Sequence, residues 1–358
     1  MIFMTNRIKN LRVKIKKEGL DAFLVSSLIN IRYLTGFTGS NALLVITLNN
    51  SILITDSRYQ EQVTKETNSC KIIISNESLF ETLSKNSILK KTKSVGFEGS
   101  NLVFSTAQKI KKLFKSIHLI PLDNFVEELA LQKDESEISA TKKAVEISDI
   151  VFSEILEFVK PGITELDISA EISYRMKKQG AEEESFQTIV ASGPNSSMPH
   201  AQATNRKLKN NEPLLIDFGA KIHGYRSDMT RTIFFGNLSQ KFIEIYSIVL
   251  NAQKIAIEHV KSEIACCDLD GLARDYITNS GYGNFFKHSL GHGVGLQIHQ
   301  SPRISPVSKE VLKENMIITI EPGIYLPNKF GVRIEDNILV QKNGYKNLTK
   351  STKELIIL

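Results

Sequence analysis

Nowhere in these 358 residues do eighteen apolar residues run together, so a membrane-spanning helix is not expected. The first twenty residues, MIFMTNRIKNLRVKIKKEGL, hold no continuous apolar segment and no small-residue cleavage site, and no secretory leader is read there. Cysteine is scarce. Cys70 stands alone and the adjacent Cys266 and Cys267 are poorly placed to bond each other, which argues against a disulfide framework and for a reducing, cytoplasmic setting. The net charge of +6 comes from scattered lysines, as in KKTK (90–93) and NRKLKN (205–210). No tract interleaves dense basic residues with aromatics, so no nucleic-acid partner is expected. Internal repeats and low-complexity segments are also missing.

What is present is ordinary for a globular protein: 41% hydrophobic and 23% charged residues. The length exceeds what one core normally serves, and two domains are expected. In the first third, DAFLV (21–25), ALLVI (42–46), ILIT (52–55), KIII (71–74) and SVGF (94–97) read as strands. Stretches near 4–18, 58–68 and 101–115 read as helices. The alternation predicts an α/β domain, with YLTGFTGSNA (33–42) as an exposed turn. Strand character gives way to charge within 121–137, dividing the chain into 1–130 and 131–358. An amphipathic helix is predicted over 135–159, stopped by Pro161–Gly162, then a second from the N-cap Thr164 to Gly180. Further helices are predicted over 239–261 and 268–279, and strands over 185–192, 213–220, 228–235, 316–322 and 331–340. This order predicts an α+β domain with helices on one face of an antiparallel sheet.

Several of these strands carry acids where apolar residues belong. Asp217 sits inside LLIDFGA (214–220), and a buried carboxylate without a partner is very costly. Asp228 opens a strand eleven residues later, a spacing that suits a hairpin turning at Gly224 and setting the two aspartates side by side. Glu321 closes the strand MIITIEP. In GVRIEDNILV, Arg333 and Glu335 fall on one face of a continuous strand. One such acid is usually paired or solvated, here with Arg226, Arg231 or Arg333 as candidates. Four together raise one another's pKa, and two divalent cations would neutralise them. His292, between Gly291 and Gly293 in HSLGHGVGLQIHQSP (288–302), supplies a fifth ligand. His200 lies in MPHA, and His288 and His299 bracket GHGVG. The GHGVG stretch lacks the spacing of a phosphate-binding loop. His118 and His259 read as ordinary packing or surface residues, and His223 as an exposed loop residue.

Together, ESFQTIVASGPNSSMPHA, LLIDFGA, SDMTRT, HSLGHGVGLQIHQSP, TIEPGIY and GVRIEDN resemble the pita-bread metallopeptidase family, which includes Xaa-Pro aminopeptidase, Xaa-Pro dipeptidase and methionine aminopeptidase. YLTGFTGSNALL and TDSRY resemble the extra N-terminal domain of its proline-cleaving and creatinase-like branches. The resemblance implies an α/β N-terminal domain and an α+β pita-bread catalytic domain. It implies two metal ions held by Asp217, Asp228, His292, Glu321 and Glu335, with Asp228 and Glu335 bridging and a hydroxide between the ions as nucleophile. Glu321 is then the proton acceptor as well as a ligand. The positions of His200, His288 and His299 imply substrate binding and support of the tetrahedral intermediate, with Arg333 and Tyr325 as further substrate contacts. An oxygen-rich ligand set points to Mn²⁺, with Co²⁺ or Zn²⁺ as alternatives. Small peptides with proline second are the implied substrates, and a homodimer the implied assembly. A creatinase-like metal-free hydrolase or a non-catalytic binding protein is expected to lack ligands, whereas all five are present. Methionine aminopeptidase usually lacks the N-terminal domain, the histidine at 288 and the arginine of VRIED. Between the two proline branches, the short length and YLTGFTGSN favour the aminopeptidase, with the dipeptidase as its alternative.

Overall fold

A computed structural model of the chain describes residues 2–358, which divide into two compact units, 1–130 and 131–358. In the first, six strands form one mixed sheet: β1 Ala22–Val25, β2 Ala42–Thr47, β3 Ser51–Asp56, β4 Lys71–Ser75, β5 Ser94–Glu98 and β6 His118–Leu122, in the order β4-β3-β2-β1-β5-β6. Helices α1 Ile2–Lys17, α2 Leu28–Thr35, α3 Gln60–Glu66, α4 Leu79–Lys85 and α5 Phe104–Leu113 complete an α/β unit around buried Leu24, Leu43, Ile54 and Val95.

The expected exposed turn at 33–42 holds only for its second half. Ser27 caps α2, the helix runs to Thr35, and Gly36 ends it at φ +83° with its N–H donating to the Arg32 carbonyl. Tyr33, Leu34, Thr35 and Phe37 are all buried. Beyond Gly36 the chain is loop up to β2, and Thr38 and Ser40 in it are exposed.

The second unit repeats one plan twice. Helices α6 Glu135–Phe158 and α7 Glu165–Lys178 are followed by short strands β7 Glu183–Glu184, β8 Ile189–Ser192, β9 Glu212–Phe218, β10 Ala220–Ile222, β11 Tyr225–Arg226 and β12 Met229–Phe235. Helices α8 Gln240–Glu258 and α9 Cys266–Asn279 are followed by β13 Gly291–Gly293, β14 Gln300–Ile304, β15 Ile317–Ile320, β16 Gly323–Leu326, β17 Phe330–Arg333, β18 Asp336–Gln341 and β19 Gly344–Asn347. Capping boxes start both helices of the first pair, Asp134 with Glu137 and Thr164 with Asp167. One core packs α6 and α7 on β8, β9 and β12, and another packs α8 and α9 on β15 to β18.

Three local expectations are corrected. The hairpin exists, with His223 and Gly224 both at positive φ as a two-residue turn requires, but it spans only β10 and β11. Asp217 pairs in register with Thr230, so the aspartates are staggered, not side by side. The chain is pinched just beyond them: a Cβ on Gly219 would lie 1.9 Å from the Ser227 carbonyl oxygen. Gly219→Ala is therefore expected to destabilise the protein by about 3 kcal/mol, read as a lowered denaturation midpoint; an unchanged midpoint would mean this approach can open freely. The third correction concerns two continuous strands. MIITIEP breaks at Glu321–Pro322, where proline has no N–H for the ladder, and GVRIEDNILV breaks at Ile334–Glu335.

Candidate metal centre

Both breaks occur where a charged side chain must leave the sheet. Glu335 donates its backbone N–H to the Thr230 carbonyl instead of to a sheet partner, which brings β12 and the β17–β18 joint together. Thr230 links three groups: its hydroxyl donates to Glu335 Oε2 at 2.7 Å and accepts from Arg333 Nε at 3.0 Å, and its residue pairs with Asp217. Sequence reading missed it. Its only trace is a small polar residue alternating with apolar ones in DMTRTIFF.

The site gathers what the motifs nominated. Ligand atoms of Asp228, His292 and Glu335 lie within 4.8 Å of one another. His292 Nε2 is 3.5 Å from Asp228 Oδ2 and 3.5 Å from Glu321 Oε1. Asp217 joins through Arg333, whose Nη2 donates to Asp217 Oδ2 at 2.6 Å. The glycines beside His292 permit close approach, since a Cβ on Gly291 would meet the Thr319 carbonyl oxygen at 2.0 Å and one on Gly293 the Ser301 carbonyl oxygen at 2.2 Å.

Arginine neutralises one acid and stops there. Arg333 is 3% exposed and fully engaged, by Asp217, by Thr230, by the Tyr325 hydroxyl at 2.7 Å and by the Pro199 carbonyl at 3.2 Å. Its guanidinium is turned inward, onto the site. Arg231 pairs with Asp336 at 2.7 Å and donates to the Glu335 and Thr230 carbonyls, so it holds backbone and not the nominated acids. Arg226 faces Glu183.

The unneutralised acids are strongly perturbed. Burial, then the charges of Glu335 and Asp217, hold Asp228 well above the usual carboxylate range. Burial, then Glu321 and Asp217, do the same to Glu335. Glu321 is pushed up to about 8 by burial, with Arg333 opposing and Asp217 adding to the rise. His292 is pulled down to about 4 by burial and by His299, whose ring meets it edge-on at 4.4 Å. A neutral His292 donating Nδ1–H to the Gly293 carbonyl at 3.1 Å leaves the Nε2 lone pair facing Asp228 and Glu321.

Two buried oxygens decide whether cations fit. Asp217 has Oδ2 bonded and Oδ1 without a hydrogen-bond partner; Glu335 has Oε2 bonded and Oε1 without one. Unpartnered buried carboxylate oxygens are rare because the desolvation penalty is large. Each acid is thus oriented by one oxygen and presents the other, as metal ligands are. The residues fit a divalent-metal site.

The remaining nominated side chains sit around this cluster. His288 is pulled down to about 3, by burial first and the Arg333 charge next, so it is neutral. Its Nδ1 meets the Ser289 carbonyl at 2.8 Å and its Nε2 the Tyr325 hydroxyl at 2.9 Å. Tyr325 is buried, and burial pushes its hydroxyl up to about 12. His288, Tyr325, Arg333 and Asp217 therefore form one bonded chain. His200 and His299 are exposed. His223 is exposed at its turn, and His259 ends α8 with Nδ1 on the Ile255 carbonyl. No described helix is long and apolar enough to cross a membrane.

Residues 139–342 match the model of metallopeptidase family M24, and residues 7–130 match the creatinase/prolidase N-terminal domain. An Xaa-Pro dipeptidase of Pyrococcus horikoshii is 38% identical over 99% of this chain and 100% of its own length. Among solved structures, an Xaa-Pro dipeptidase from Bacillus anthracis is 40% identical with a TM-score of 0.95, covering 99% of this chain and 100% of that one. An X-Pro aminopeptidase from Thermotoga maritima is 37% identical with a TM-score of 0.91, covering 95% and 98%.

Proposed function

The chain belongs to metallopeptidase family M24, and from that premise we propose that it is an Xaa-Pro dipeptidase: a two-metal exopeptidase that hydrolyses the bond between a first residue and a following proline. The observation that carries the reading is the pair of presented, unpartnered oxygens on Asp217 and Glu335 beside Asp228, Glu321 and the bare Nε2 of His292. Both proline branches share this ligand set, so the choice between them rests elsewhere. Dipeptidases match the whole length at 38% and 40% identity, which outweighs the length and YLTGFTGSN considerations that favoured the aminopeptidase. The aminopeptidase is the second reading, supported by the Thermotoga maritima likeness.

Asp217, Asp228, His292, Glu321 and Glu335 would hold the ions, with Mn²⁺ first among candidates because four of five ligands are carboxylates. When bound, the ions supply a Lewis acid for the scissile carbonyl and lower the pKa of the attacking water. The protein's own groups do the rest. Arg333 and Thr230 fix the orientation of Asp217 and Glu335 before substrate arrives. Water adds to the carbonyl carbon, and Glu321 takes the proton that water releases. As the C–N bond breaks, Glu321 returns that proton to the proline nitrogen, which leaves as a secondary amine. His200 and His299, the exposed imidazoles, donate to the developing oxyanion.

The test offers the manganese-loaded protein three peptides: Xaa-Pro, Xaa-Pro-Yaa and Met-Ala-Ser. The dipeptide is expected to be cleaved with the highest kcat/KM. Cleavage of the tripeptide Xaa-Pro-Yaa alone would move the assignment to the aminopeptidase, and release of methionine alone would remove it from the proline branch.

A further inference from the structure

We propose that Glu165 is a positioning residue that sets His200 over the metal centre, an inference that rests on the reading of His200 given above. Glu165 is the first residue of α7 and is completely buried. Its Oε1 accepts from Ser192 N and Oγ, both at 2.7 Å, and its Oε2 from Thr204 N at 3.1 Å and Thr204 Oγ1 at 2.7 Å. Asn195 Nδ2 donates to both oxygens at 3.0 Å. Ser192 ends β8 and Thr204 lies in the connection to β9, on either side of His200, so one carboxylate ties together the segment that carries His200.

The helix does not need Glu165 for capping. Thr164 and Asp167 already form the capping box, and an acid at the first helical position usually points to solvent to complement the helix dipole. Every hydrogen bond recorded for the Glu165 carboxylate goes to the loop. The loop's other anchors belong to the site: the Gly331 N–H donates to Ser196 Oγ at 2.9 Å, and Arg333 Nη1 donates to the Pro199 carbonyl. The Pro199 anchor lies one residue before His200, and the Thr204 anchor four residues after it. An exposed imidazole on a loop gains a fixed position only through such anchors, and a displacement near 1 Å is worth on the order of 100-fold in rate.

Glu165→Gln tests this. Both carboxylate oxygens accept backbone N–H groups, so the amide NH₂ of glutamine must face one of them and break an anchor whichever way it turns. The expected result is a fall in kcat of on the order of 100-fold with little change in KM and full retention of metal. His200→Ala supplies the reference: it should lower kcat at least as far, and Glu165→Gln added to it should cause almost no further loss. Thr204→Val keeps shape but removes the hydroxyl that donates to Glu165 and accepts from the Arg206 N–H, and should give a smaller loss in the same non-additive pattern, which covers the case in which the glutamine variant fails to fold. A wild-type kcat in a folded Glu165→Gln, with His200→Ala impaired, would overturn the positioning role alone. Losses that multiply in the double variant would overturn it too. Full activity in His200→Ala would overturn the reading of His200 and this proposal with it.

Discussion

Glu335→Gln should lower kcat/KM by about 1,000-fold or more and abolish retention of divalent metal, while leaving the metal-free protein at least as stable as before. The first effect follows from charge. If the presented oxygen of Glu335 is shared by two ions, removing it withdraws several kcal/mol of transition-state stabilisation, and about 4 kcal/mol corresponds to 1,000-fold. The second effect separates this account from loss of fold. In the metal-free state Glu335 is buried beside Glu321 and Asp217, and ionising it there is opposed by burial and by both neighbours. A neutral amide of the same shape relieves that repulsion and can still accept from the Thr230 hydroxyl. Metal content by elemental analysis, thermal unfolding with and without Mn²⁺, and peptide hydrolysis check the three parts. A variant that still holds two ions and hydrolyses peptides at the wild-type rate would remove Glu335 from the ligand set.

The acids were legible in the sequence because their chemistry violates a pattern. A carboxylate in an apolar run is conspicuous by its cost, and Asp217 and Glu321 each sit in such a run, while Glu335 stood out by sharing a strand face with Arg333. The α/β and α+β classes were legible for a related reason, since alternating apolar runs and capping residues report local structure directly. What escaped lies in tertiary geometry. Nothing local says that GVRIEDNILV breaks at Ile334, because the break arises when Glu335 donates its N–H to Thr230 on another strand. Thr230 and Glu165 were invisible for the same reason: a threonine in a strand and a glutamate in a first helical turn are ordinary, and only their distant partners make them special. The partition of the arginines was equally hidden. Arg231 and Arg333 both flank nominated acids in sequence, yet Arg333 takes Asp217 and Arg231 takes Asp336, held below the ordinary range against burial by Arg231 and Lys353. The substrate branch is the least legible feature, because both branches use the same five ligands.

Stripping the metal with a chelator should make stability fall as pH rises, and adding Mn²⁺ should abolish that dependence. The sign follows from linkage. Asp228, Glu321 and Glu335 all have pKa values raised in the folded, metal-free protein, so folding favours their protonated forms. Their contribution is fully present below the unfolded carboxylate range and is lost as pH climbs through the folded values. For Glu321 that window runs from its ordinary 4.5 to about 8, and at 1.36 kcal/mol per unit the loss is roughly 5 kcal/mol. Two bound cations reverse the preference, because they favour the ionised acids and bind the folded state alone. Unfolding midpoints of chelated and manganese-loaded protein should therefore converge near pH 4 and diverge steadily towards pH 8, with the loaded form more stable by several kcal/mol at the upper end. The divergence should vanish for Asp228→Asn, which removes the acid that both His292 and Glu335 face. Chelated protein whose stability stayed flat across this range would mean that its four acids are neutralised by the protein's own groups, and the case for a cation cage at Asp217 would be lost.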